Sequence, residues 1–119
     1  MARVLCLDSS SLRLVRLARV LQRAGWEVWT GADVRDVLLL ASLLKFEAVV
    51  ADEASTRQFP ELWEQAEEVI PELRLLVHSA EGQRAGLRRT GIAAGSPELV
   101  LAMLTLLLEE GQQVNQAAA

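Results

Sequence analysis

The chain has 119 residues, of which 51% are hydrophobic and 24% charged, with a formal net charge of −4. That length holds one domain with its own core, the mixture is globular and not disordered, and the acidic balance argues against a generic nucleic-acid binder. No apolar run approaches the roughly 20 residues of a membrane-spanning helix. No signal-peptide pattern follows Met1, and the lone Cys6 offers neither an internal disulfide nor metal-ligand spacing, so a cytoplasmic protein is expected.

Strand and helix patterns alternate along the chain. Val4-Leu5-Cys6-Leu7 is a short continuous apolar run, the mark of a strand buried on both faces. Asp8 to Ser11 breaks it and offers helix N-caps, and Leu14, Leu17, Ala18 and Leu21 then recur at helical spacing up to a stop at Gly25. Trp26 to Thr30 reads as a second strand, and Asp33 caps a second helix through Leu44. Ala48-Val49-Val50-Ala51 is a third buried strand, ending at Asp52.

Pro60-Glu61 opens a third helix, because proline suits the first turn and glutamate the positive helix end. Leu73 to His78 is a fourth strand, Glu81 to Arg89 a short helix, and Ile92-Ala93-Ala94 a weak fifth strand. Ser96-Pro97-Glu98 starts a last helix, predicted to run to about Glu110, where Gly111 breaks it. Residues 1–110 are thus expected to form the domain and 111–119 a disordered tail.

Five βα units imply an α/β fold: a three-layer sandwich around a five-stranded parallel sheet. Right-handed crossovers favour the flavodoxin-like strand order 2-1-3-4-5, whose ligands sit at the carboxyl ends of the strands near the switch between strands one and three. Asp8 and Asp52 fall there.

The sequence around these residues resembles response-regulator receiver domains of the CheY-like kind. Arg3 to Ser10 is similar to their first strand, which ends in two acidic residues, and Phe46 to Asp52 to their third, which ends in the phosphate-accepting aspartate. Leu73 to Ala80 looks like the fourth strand with its terminal hydroxyl, here Ser79, and Gly95-Ser96-Pro97 sits where receivers carry Lys-Pro. The resemblance implies Asp52 as phosphoacceptor, Ser79 as the hydroxyl that bonds the acyl phosphate, and Asp8 with Asp52 as Mg2+ ligands. It also implies a histidine kinase or an effector protein as partner, and no enzyme activity of the chain's own.

The departures from that pattern matter. Ser9 replaces the second acid, Gly95 or Ser96 replaces the lysine, and Ile92, Ala93 and Ala94 stand where the switch aromatic should be. Lys45 precedes strand three and so lies at the wrong end of the sheet, which leaves Arg57 and Arg84 as the basic residues able to reach the right one. The expected function is therefore an atypical receiver (a pseudo-receiver) acting as a phosphorylation-independent interaction module. The alternative is a working phosphoacceptor at Asp52, with a weak Mg2+ site.

Asp8 and Asp52 also admit a plainer reading as end-of-strand residues, Asp8 helping to cap the first helix. Arg13, Arg16, Arg19 and Arg23 share one flank of that helix, and Glu61, Glu64 and Glu68 one flank of the third. Such stripes are usually solvated faces, and otherwise charged docking surfaces. The tryptophans lack the basic interleaving of a nucleic-acid platform. On the last helix, Leu101, Leu104 and Leu108 belong to an apolar set wider than one core stripe. They suggest a homodimer through helix 4, strand 5 and helix 5.

Overall fold

The computed structural model describes residues 2–70, 75–78, 85–86, 89–92 and 96–118. Among these, six strands form one sheet: β1 (Arg3–Leu7), β2 (Glu27–Gly31), β3 (Ala48–Asp52), β4 (Leu75–His78), β5 (Ala85–Gly86) and β6 (Arg89–Ile92). The order is β2-β1-β3-β4-β6-β5. The helices are α1 (Ser11–Arg23), α2 (Val34–Leu43), α3 (Glu53–Arg57), α4 (Pro60–Val69) and α5 (Pro97–Ala118). The expected 2-1-3-4-5 parallel arrangement is present, with β6 as its fifth strand and the two-residue β5 added antiparallel at the edge.

The larger differences from the sequence reading lie in the second half of the chain. Of the segment expected as a helix from Glu81 to Arg89, the described Ala85 and Gly86 form β5; the fifth strand begins at Arg89, ahead of the predicted Ile92, and Ala93 and Ala94 of that prediction lie outside the described residues. Ala85-Gly86 and Arg89-Thr90 close a short antiparallel pair there, between residues only three to five apart, which a reading by helical spacing does not anticipate. The last helix passes through Gly111 to Ala118, so the backbone predicted as a disordered tail is helical. One glycine costs a helix only about 1 kcal/mol relative to alanine.

The sheet divides two apolar layers because successive side chains of a strand point to opposite faces. On one side Val4, Cys6, Ala48 and Val50 meet Leu17 and Leu21 of α1 and Val100 and Leu104 of α5. On the other, Leu5, Leu7, Val49 and Ala51 meet Val34 and Val37 of α2 and Trp63 and Ala66 of α4. Apart from Arg3 at the start of β1 and Asp52 at the end of β3, both central strands are therefore apolar throughout, as their continuous runs predicted. Cys6 sits fully buried in the first layer, and that burial, with the charge of Asp8 nearby, pushes its thiol up to about 12.

The helix ends follow the local chemistry. Ser10 Oγ accepts from Arg13 N at the start of α1, and Asp33 Oδ1 accepts from Arg35 N at the start of α2. Gly25 takes the left-handed conformation, φ +97°, just after α1. No helix among the described residues is long and apolar enough to cross a membrane.

Candidate functional site

The parallel register of β1 and β3 sets Leu7 beside Ala51, so the next residues, Asp8 and Asp52, emerge side by side at the carboxyl end of the sheet. Both side chains are almost wholly enclosed, 2% exposed for Asp8 and 5% for Asp52. Two adjacent, dehydrated carboxylates repel each other and need a compensating cation.

That cation is Arg13. Its position in the first turn of α1 brings the side chain back over the end of β1. Nη2 lies 3.0 Å from Asp8 Oδ1 and 3.4 Å from Asp52 Oδ2, while Nε lies 3.2 Å from Asp8 Oδ1. One guanidinium thus spans both acids, with planar donors suited to such bridging. Asp8 also accepts from Ser10 N at 2.7 Å. The hydrogen bond and charge of Asp8 together raise the Arg13 pKa, burial opposes them, and Asp52 adds to the rise.

Asp52 is committed on both oxygens. Oδ1 accepts from Ser55 N at 3.2 Å, which makes Asp52 the N-cap of α3. Oδ2 accepts from Ser9 N at 3.2 Å and from the Ser9 hydroxyl as well as meeting Arg13. Burial pushes its carboxyl pKa upward, but hydrogen bonds from Ser55 and Ser9 outweigh that and hold it below the ordinary carboxylate value. The short α3 that follows is fixed from the other side, since the buried Trp63 donates Nε1 to Ser55 O at 3.1 Å.

In this arrangement Asp8 and Asp52 do not present open oxygens to Mg2+. That ion takes about six oxygens at roughly 2.0–2.1 Å in near-octahedral geometry. Here carboxylate oxygens of Asp8 and Asp52 are already bound to a guanidinium, a hydroxyl and backbone N–H groups. Among the described residues no group of three or more His, Cys, Asp or Glu is placed to hold a metal ion.

The sequence-predicted residues are thus partly assembled. Asp8 and Asp52 meet as expected, while Ser79, Arg84 and Gly95 lie outside the described residues. Arg57 does not reach the pocket but pairs with Glu53 at 2.7 Å along α3. Arg13, expected to share a flank with Arg16, Arg19 and Arg23, points instead to the acids. Its five-residue offset from Asp8, across a Ser-rich cap, was the available signal. The three leucines expected at a dimer surface face inward: Leu104 is fully buried, and Leu101 and Leu108 are half-buried against the same core. Among the described side chains of α5, Leu99 and Leu106 are the exposed leucines.

No family model matches the sequence, and no curated protein does. Solved structures do match in fold. A CheY-like response regulator receiver domain protein from Methanospirillum hungatei JF-1 superposes with a TM-score of 0.74 at 18% identity, covering 95% of this chain and 98% of that one. The receiver domain of the hybrid histidine kinase CckA gives 0.74 at 17% identity, covering 90% and 99%. The chemotaxis protein CheY4 of Vibrio cholerae gives 0.69 at 24% identity, covering 90% and 98%. Sheet order, helix placement and these superpositions agree: the chain has the fold of CheY-like response-regulator receiver domains.

Proposed function

We propose that the chain is an atypical receiver that works in signalling as a protein-interaction module without phosphorylation of Asp52. The observation that supports this is the internal cation: Arg13 bridges Asp8 and Asp52 where a phosphoryl donor and its metal would have to enter. A carboxylate attacks a phosphoryl group poorly because both are negative, so the chemistry needs a cation between them and a free nucleophilic oxygen. Arg13 supplies charge without open coordination positions, and Ser9 binds the oxygen. The partner of such a module is a histidine kinase or an effector protein.

One observation favours the second reading, a phosphoacceptor using Mg2+. The Arg13 side chain is 51% exposed and has room to swing out, releasing both acids. Incubation with acetyl phosphate and Mg2+, followed by intact-mass analysis, separates the two readings. The interaction module gives no adduct. A labile +80 Da adduct, lost in Asp52→Asn and in the absence of Mg2+, identifies the phosphoacceptor (the mass being that of one added phosphoryl group, about 80 Da).

A further inference from the structure

The two faces of the sheet carry opposite charged stripes with the same spacing. On α1, Leu17 and Leu21 are buried, and Arg16, Arg19 and Arg23 stand on the solvent side. On α4, Trp63 and Ala66 are buried, and Glu61, Glu64 and Glu68 stand on the solvent side. Each trio repeats at i, i+3, i+7, so each spans about 10 Å along its helix. Among the described residues, no ion pair reaches any of the six. The helices belong to opposite layers, α1 to one core and α4 to the other. The molecule is therefore a slab with a basic ridge on one face and an acidic ridge on the other.

From this we infer that a second copy of the chain docks its acidic α4 ridge on the basic α1 ridge. An antiparallel register matches Arg16 with Glu68, Arg19 with Glu64 and Arg23 with Glu61. Antiparallel docking also opposes the two helix dipoles. Because the ridges lie on opposite faces, one docked pair leaves an unused ridge of each sign. The contact is heterologous and grows as an open chain, not as a closed dimer. The attraction between exposed charges is weak and salt-sensitive. The inference rests on the interaction-module reading only in naming a partner, since Arg13 and the closed pocket take no part in it.

Sedimentation velocity of the full chain over a concentration series tests it. In about 20 mM salt the weight-average sedimentation coefficient is expected to keep rising with concentration, and to fall to the monomer value in about 0.5 M salt, where the screening length shrinks to a few ångström. The triple variant R16E/R19E/R23E, and separately E61R/E64R/E68R, each weaken association at least about tenfold, and mixing the two restores it. Circular dichroism of each variant checks that these exposed changes leave the fold intact. A wild-type chain that stays monomeric at low salt overturns the inference, and so does association that survives either reversal. Monomeric wild type together with capture of a separate acidic helical peptide assigns the basic ridge to a foreign partner, which also overturns self-docking.

Discussion

Arg13 Nη2 stands 3.4 Å from Asp52 Oδ2, so the carboxylate at the end of β3 is partnered by a cation carried on α1. The same nitrogen is 3.0 Å from Asp8 Oδ1. Two enclosed acids therefore share one tethered positive charge, which balances half of their charge without a dissolved ion. The pairing also joins elements distant in sequence, because Asp52 is at once a partner of Arg13 and the cap of α3.

Removing the tethered cation should create a need for a soluble one. In Arg13→Ala, Asp8 and Asp52 face each other unpaired, and the protein loses on the order of 1–3 kcal/mol at neutral pH. Divalent cations then become stabilising ligands. At 10 mM Mg2+ and a dissociation constant of about 1 mM, the recovery is about 1.4 kcal/mol. Thermal melts with and without MgCl2 check this: the Tm of the variant rises with the salt, while the wild type responds no more than it does to an equal ionic strength of NaCl.

A third carboxylate should deepen the new site. Ser9 lies against Asp52, so the double variant Ser9→Asp, Arg13→Ala places an additional acid at the two already there. Isothermal titration with Mn2+ should give binding about tenfold tighter than in Arg13→Ala alone, because hard cations gain from each added carboxylate oxygen. Ser9→Asp with Arg13 retained should bind far more weakly, since the guanidinium still occupies the centre.

Asp52 also sets an acid limit to stability. Its folded pKa lies below the ordinary value, so the native state binds fewer protons than the unfolded chain as pH falls through that range. The resulting stabilisation is present above the unfolded pKa of roughly 3.9 and disappears as pH drops through the folded value. Asp52→Asn should remove that contribution, costing about 1–2 kcal/mol at pH 7 and less below pH 3. Urea unfolding of both proteins from pH 7 to pH 2.5 measures the difference. A constant gap across that range would show that Asp52 does not gain from its ionised form.

Cys6 gives an independent probe of the sheet. Its thiol is buried in β1 and pushed up to about 12, so almost no thiolate is present at pH 8. Alkylation by iodoacetamide should proceed only through unfolding, at a rate that increases with urea as global unfolding does. Rapid labelling in the absence of denaturant would mean that β1 is open to solvent.

Much of this architecture was legible in the residues. Continuous apolar runs marked β1 and β3, Asp33 and Ser10 marked helix starts, and Pro60 marked the first residue of α4. Their order was enough to set Asp8 beside Asp52. What escaped depended on caps and pairings that carry no strand or helix periodicity. The helix α3 has five residues, too few for a periodic signal, and is held by the Asp52 cap and by Trp63. The β5–β6 pair relies on pairing that neither strand announces alone. Arg13 looked like one of four arginines in a stripe, yet it lies a quarter turn from the line of Arg16, Arg19 and Arg23. That offset aims it at the pocket. The α5 leucines read as surplus surface because the sequence did not disclose that Leu101, Leu104 and Leu108 are all used against α1 and the sheet.

The most direct test of the closed pocket is a titration of the wild-type chain with Mg2+ and beryllofluoride, an acyl-phosphate mimic, followed by amide NMR. With Arg13 bridging the acids, the amides of Asp8, Ser9, Asp52 and Ser55 should show no saturable shifts at millimolar ligand. Saturable shifts centred on those residues would contradict the account, because they would mean that Arg13 yields its place to a metal and a phosphoryl group.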